Sequence, residues 1–88
     1  GPSEVGEFEQ RLARDAGDHE ARFEIAKALA ARGAWGEAVD HLLTIIERER
    51  DWNEDAARKQ LLTIFEAAGA GSDITRAGRR RLSSILFS

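Results

Sequence analysis

At 88 residues, with 42% hydrophobic and 33% charged side chains, the chain has room for one small core and is too apolar for a disordered tail. Its net charge of −3 is uneven: residues 1–55 hold 14 acidic and 7 basic side chains, while residues 56–88 hold 2 and 6. An acidic body argues against general nucleic-acid binding, no apolar run is long enough to cross a bilayer, and zero cysteines exclude disulfide and thiol chemistry within the fragment.

Gly1-Pro2-Ser3 reads as the remnant of a removed tag, which leaves residues 4–88 as the domain proper. Five helices follow. The first spans about Glu4 to Arg14, with Val5, Phe8 and Leu12 as its apolar stripe. Asp15-Ala16-Gly17-Asp18 breaks the pattern, and Asp18 is suited to cap a second helix carrying Ala21, Ile25, Ala28 and Leu29 on one face. That helix ends near Arg32, where Gly33 is free to take the left-handed conformation beyond the helix end. The third helix, from about Trp35 to Glu49, places Trp35, Ala38, Val39, Leu42, Ile45 and Ile46 at helical spacing. Asn53 is the expected cap of the fourth, with Glu54 and Asp55 in its first turn and Trp52 stapled onto Ala57. Ala57, Leu61, Ile64, Phe65 and Ala68 form its apolar face, and Gly69-Ala70-Gly71 stops it. The fifth starts at Ser72 or Asp73 and runs to about Phe87, with Ile74, Gly78, Leu82, Ile85 and Leu86 facing inward. No segment alternates with period two for long enough to be a strand.

A striped helix cannot bury its apolar face alone, so neighbouring helices must close into antiparallel hairpins. The pattern also repeats. At an offset of 34, Phe8 falls on Leu42 and Leu12 on Ile46; at 36, Ile25, Ala26 and Leu29 fall on Leu61, Leu62 and Phe65. The hairpin resembles a tetratricopeptide repeat: Ile25-Ala26 and Leu29 match its first helix, Gly33-Ala34-Trp35 its turn, and Ala38 the small residue where its helices cross. Arg22 stands where an aromatic is common, Arg50 where a proline usually ends the repeat, and Gly78 where a large apolar residue is normal. The expected fold is all-α: a five-helix tetratricopeptide-like α-solenoid of antiparallel hairpins, closed by a C-terminal capping helix.

Three longer segments carry a narrower likeness. Phe23-Glu24-Ile25-Ala26, the run from Asp51 to Leu62 and the closing Arg79-Arg80-Arg81-Leu82-Ser83-Ser84-Ile85-Leu86-Phe87 resemble the C-terminal domain of CnoX (YbbN) proteins, the thioredoxin-like bacterial co-chaperones. The resemblance extends from about Val5 onwards. It implies a thioredoxin-like domain upstream, a cytoplasmic location, holdase activity towards unfolding client proteins, and docking on a GroEL-type chaperonin through the last helix. The residues it points to are Arg79, Arg80, Arg81, Leu82, Ile85, Leu86 and Phe87. Consecutive helical residues diverge by roughly 100°, so at least two of the three arginines must project to solvent. Repeat geometry would also turn Glu20, Phe23, Lys27, Ala30 and Ala31 to the concave side, making Phe23, Lys27 and Trp52 a possible client groove.

Chemistry is sparse. His19 and His41 each have acidic neighbours, but neither has a second histidine or a cysteine at ligand spacing, and solvated surface positions are the expectation for both. No serine is paired with an activating histidine, and no glycine-rich loop follows a strand. The expectation is therefore a domain without catalytic, metal or cofactor sites that binds neither nucleic acid nor membrane. The alternative to a co-chaperone module is a structural or homodimerisation repeat that positions a neighbouring domain.

Overall fold

A computed structural model describes residues 2–88, with side chains from Glu4 onwards; Gly1 and the side chains of Pro2 and Ser3, the expected tag remnant, lie outside the described residues. The helices are α1 (Pro2–Arg14), α2 (His19–Ala31), α3 (Trp35–Arg48), α4 (Trp52–Ala68) and α5 (Asp73–Leu86), with no strand among the described residues. Successive helices pack as hairpins; α4 also touches α2, and α5 also touches α3. The body measures 35 × 28 × 19 Å.

Helix α3 is the spine because it has neighbours on both flanks. It buries Ala38, Val39, Leu42, Leu43, Ile45 and Ile46, while α2 adds Ala21, Ile25, Ala26 and Leu29, and α4 adds Ala57, Leu61, Ile64 and Phe65. Two neighbours widen the apolar stripe, which is why Leu43 joins the five buried aliphatic positions read from the spacing.

The turns follow their local chemistry. Asp18 caps α2 by accepting from the Ala21 amide at 3.0 Å, and the same carboxylate receives Arg11 Nε and Nη2 at 3.0 and 3.1 Å, clasping α1 to α2. Gly33, at φ 81°, sends its N–H to the Ala30 carbonyl while Ala34 sends its own to Leu29. This pair of bonds is a Schellman stop. Ser72 caps α5 by accepting from the Thr75 amide at 3.2 Å, and the buried Thr75 hydroxyl donates to the Phe65 carbonyl.

The α3–α4 turn departs from expectation. Asn53 does not cap α4, because a cap residue needs extended backbone; Asn53, Glu54 and Asp55 instead sit at φ 49°, 56° and 64°. They form one left-handed turn between Trp52 and the regular helix. A left-handed residue with a side chain costs about 1–2 kcal/mol, less for Asn and Asp. The turn swings the Trp52 indole across α2, edge-on to Phe23 at 5.4 Å and to His19 at 6.0 Å.

Helix α5 is docked along its length. Gly78 is buried because a Cβ there would lie 2.5 Å from the Phe65 ring. The glycine that departs from the repeat pattern is thus what lets α5 approach α4. Leu82, Ile85 and Leu86 pack against the core, Arg81 pairs with Asp40 of α3 at 2.6 Å, and Arg50 donates to the Ile85 carbonyl at 3.1 Å.

Candidate protein-interaction surfaces

Two faces gather the residues that the sequence nominates. The first lies on α2 and the start of α4. Trp52 covers one edge of Phe23, and the Lys27 ammonium sits 5.1 Å above the Phe23 ring, so Phe23, Lys27 and Trp52 form one cluster. Such edge-to-face aromatic pairs add about 0.5–1.5 kcal/mol beyond their buried area. Beyond Lys27 the same face opens into a shallow groove of ≈ 270 Å³, walled by Ala30 and Ala31 of α2 and by Gln60, Thr63 and Ala67 of α4. Phe23 is half-buried rather than free, because the indole and the lysine shield it. Glu20 leaves this face: its carboxylate receives Arg11 Nη2 at 2.8 Å and so belongs to the α1–α2 clasp.

The second face is the outer side of α5, and here the seven nominated residues separate. Leu82, Ile85 and Leu86 are half-buried anchors. Arg79 lies across the Phe65 ring at 5.7 Å, and Arg81 is held by Asp40. Arg80 is exposed with no partner among the described residues, and Phe87 is 85% exposed. Arg76, not among the seven, is also exposed one turn before Arg80, with its guanidinium on Asp73 at 3.0 Å. Arg76, Arg80, Ser83, Ser84 and Phe87 then fall at i, i+4, i+7, i+8 and i+11, one continuous solvent-facing stripe. The i, i+4 relation of Arg76 to Arg80 was the available signal.

The histidines are not solvated. The His19 side chain is only 11% exposed, wedged against Trp52 with Nε2 3.4 Å from Glu49 and Nδ1 buried without a partner. His41 is half-buried, with Nδ1 3.3 Å from Arg22 Nη1. Burial and the neighbouring guanidinium hold His41 below the usual imidazole range, against the smaller opposing pull of Asp40 and Glu37. Asp18 lies below the usual carboxylate range, chiefly through its bonds from Arg11 and the Ala21 amide. No group of three His, Asp or Glu side chains is arranged to hold a metal among the described residues. Among the described residues no helix is long and apolar enough to cross a membrane.

Paired antiparallel helices with a Schellman turn at Gly33 and a buried Ala38 at the crossing set the repeat geometry, and a family model for the tetratricopeptide repeat matches residues 2–87. The chain belongs to the tetratricopeptide-repeat family. A search of the curated proteins finds no match. Tetratricopeptide-repeat domains typically serve as modules that bind other proteins, which makes protein binding the role that the fold suggests. Side chains free for a partner are then those not spent on the solenoid. By that criterion Arg80 and Phe87 qualify outright, and Arg76 and Lys27 are held only by Asp73 and Glu24 of their own helices, at 3.0 Å each, whereas Arg81, Leu82, Ile85 and Leu86 are spent.

Proposed function

We propose that this tetratricopeptide-repeat domain is the interaction module of a thioredoxin-like co-chaperone, docking on a GroEL-type chaperonin through α5 and holding unfolding client segments on the α2–α4 face. The observation that carries the reading is the outer stripe of α5, where Phe87 is 85% exposed at the end of a helix that is otherwise fastened to the core. An exposed aromatic at the C-cap of a docked helix suits an apolar groove on a partner. The Arg80 guanidinium, two turns before Phe87, would favour an acidic rim beside that groove. The likeness of Asp51–Leu62 and Arg79–Phe87 to CnoX (YbbN) proteins supplies the chaperonin, the upstream thioredoxin-like domain and the cytoplasmic setting of the proposal.

The client face is the weaker half of the site chemically. Its exposed apolar area is small and partly shielded, so it fits transient contacts with extended segments better than tight binding. A measurement addresses it directly: suppression of aggregation of a denatured enzyme diluted from denaturant, with the wild-type domain and with Lys27→Glu. The proposal expects Lys27→Glu to change the suppression; equal suppression would remove this face from the account.

A further inference from the structure

One flank of the solenoid is bare: the side of α4 that turns away from α2 and the side of α5 that turns away from α3. On α4, Gln60, Thr63 and Ala67 wall the groove shared with α2, so Arg58 and Leu62 turn to the opposite side, with Glu66 at its margin. On α5, Ala77, Arg81 and Ile85 line the crevices against α3, so Arg79, Ser83 and Leu86 turn away from it. The Arg79 guanidinium lies across the Phe65 ring of α4 at 5.7 Å, which joins the two sets into one surface. Helices α2 and α3 occupy the other sides, and α1 reaches neither α4 nor α5.

Leu62 is 41% exposed, and Leu86 is half-buried. The cations of the flank are unspent: Arg58 and its neighbour Lys59 are exposed with no carboxylate partner among the described residues, and Arg79 meets only a ring face. Of the two carboxylates in residues 56–88, Asp73 is held by Arg76, which leaves Glu66 alone against them. In a helical-repeat stack the bare side of one hairpin is where the next helix lies, and two antiparallel helices offer it a seam. The occupant that this surface fits is therefore a helix whose apolar stripe is flanked by carboxylates. We propose that the α4–α5 flank receives an acidic amphipathic helix of a partner protein. The apolar side chains of that helix lie on Leu62 and Leu86, and its carboxylates meet Arg58 and Arg79. The flank does not use Phe87, so it stands or falls independently of chaperonin docking.

Three fluorescently labelled peptides provide the test: one with a helical leucine stripe flanked by glutamates, one with the same stripe flanked by lysines, and a scrambled version of the first. Fluorescence anisotropy at physiological ionic strength should show saturable binding of the glutamate-flanked helix, about tenfold weaker binding of the scrambled peptide and none of the lysine-flanked one. Leu62→Ser and Arg58→Glu, both at exposed positions and checked for helicity by circular dichroism, should each weaken binding about fivefold or more. Phe87→Ser, on the outer face of α5, should leave it unchanged. Equal binding of the scrambled or lysine-flanked peptide, no saturable binding, or insensitivity to either flank variant would overturn the proposal. Self-association of the domain that Leu62→Ser abolishes would also overturn it, by giving the flank to a second copy.

Discussion

Gly78 carries more of this fold than its size suggests. A Cβ at that position would stand 2.5 Å from Phe65 Cε1 and 2.6 Å from Cζ, and the ring is part of the buried core. Gly78→Ala should therefore lower stability by about 1–3 kcal/mol despite its better helix propensity, as overpacking outweighs the gain of about 1 kcal/mol from replacing a helical glycine. Thermal unfolding followed by circular dichroism reads this out, and a stabilised variant would show that α5 sits further from α4. At His41 the folded imidazole is held below its ordinary range while the unfolded one titrates near 6.5, so the unfolded state takes up the proton first. That contribution is whole above about pH 6.5 and is lost as the pH falls towards the folded value. Denaturant unfolding from pH 7.5 down to 5 should show His41→Gln with a flatter stability profile than the wild type. A wild-type curve flat over that range would contradict the burial argument. The residue scale was also where sequence reading erred. Both histidines looked solvated because acidic neighbours in sequence say nothing about which helix face Trp52 or Arg22 will cover.

Among the elements, three turns behaved as local chemistry dictates and one did not. Asp18, Gly33, Gly69-Ala70-Gly71 and Ser72 are punctuation that acts within a few residues, so spacing alone located the helix ends. The turn at Asn53-Glu54-Asp55 is different: its left-handed backbone is compatible with a cap-like sequence but is fixed by tertiary contacts, the indole of Trp52 lying on Phe23 and His19. Glu54 is exposed and has neither the glycine freedom nor the short polar side chain that eases φ > 0. Glu54→Gly should stabilise the domain by about 0.5–1 kcal/mol, relief of left-handed strain exceeding the extra unfolded-state entropy. Glu54→Val should destabilise it. Urea midpoints of the two variants decide the matter, and both falling below wild type would mean that the turn is not strained at this residue.

At the scale of the whole molecule, the all-α solenoid was legible because its core is written in helical periodicity and in an offset of about 35 residues. The interaction surface was legible only in part. The sequence nominated the last helix, yet one apolar stripe and one basic cluster cannot show which side chains the core consumes. Leu82, Ile85 and Leu86 went inward, Arg79, Arg81 and Arg76 were taken by Phe65, Asp40 and Asp73, and Phe87 and Arg80 stayed free. This division makes Phe87 the clean probe: Phe87→Asp should leave helicity and melting unchanged, whereas Leu86→Asp should destabilise by removing a core contact. Loss of an aromatic anchor from the interface should cost about 2 kcal/mol or more of binding. The decisive measurement is equilibrium binding of the wild-type and Phe87→Asp domains to a GroEL-type chaperonin, with circular dichroism on both. Saturable binding by the wild type, weakened tenfold or more in a fully folded variant, is the result this account predicts. Equal binding by the two, or none by the intact domain, would contradict docking through the outer face of α5.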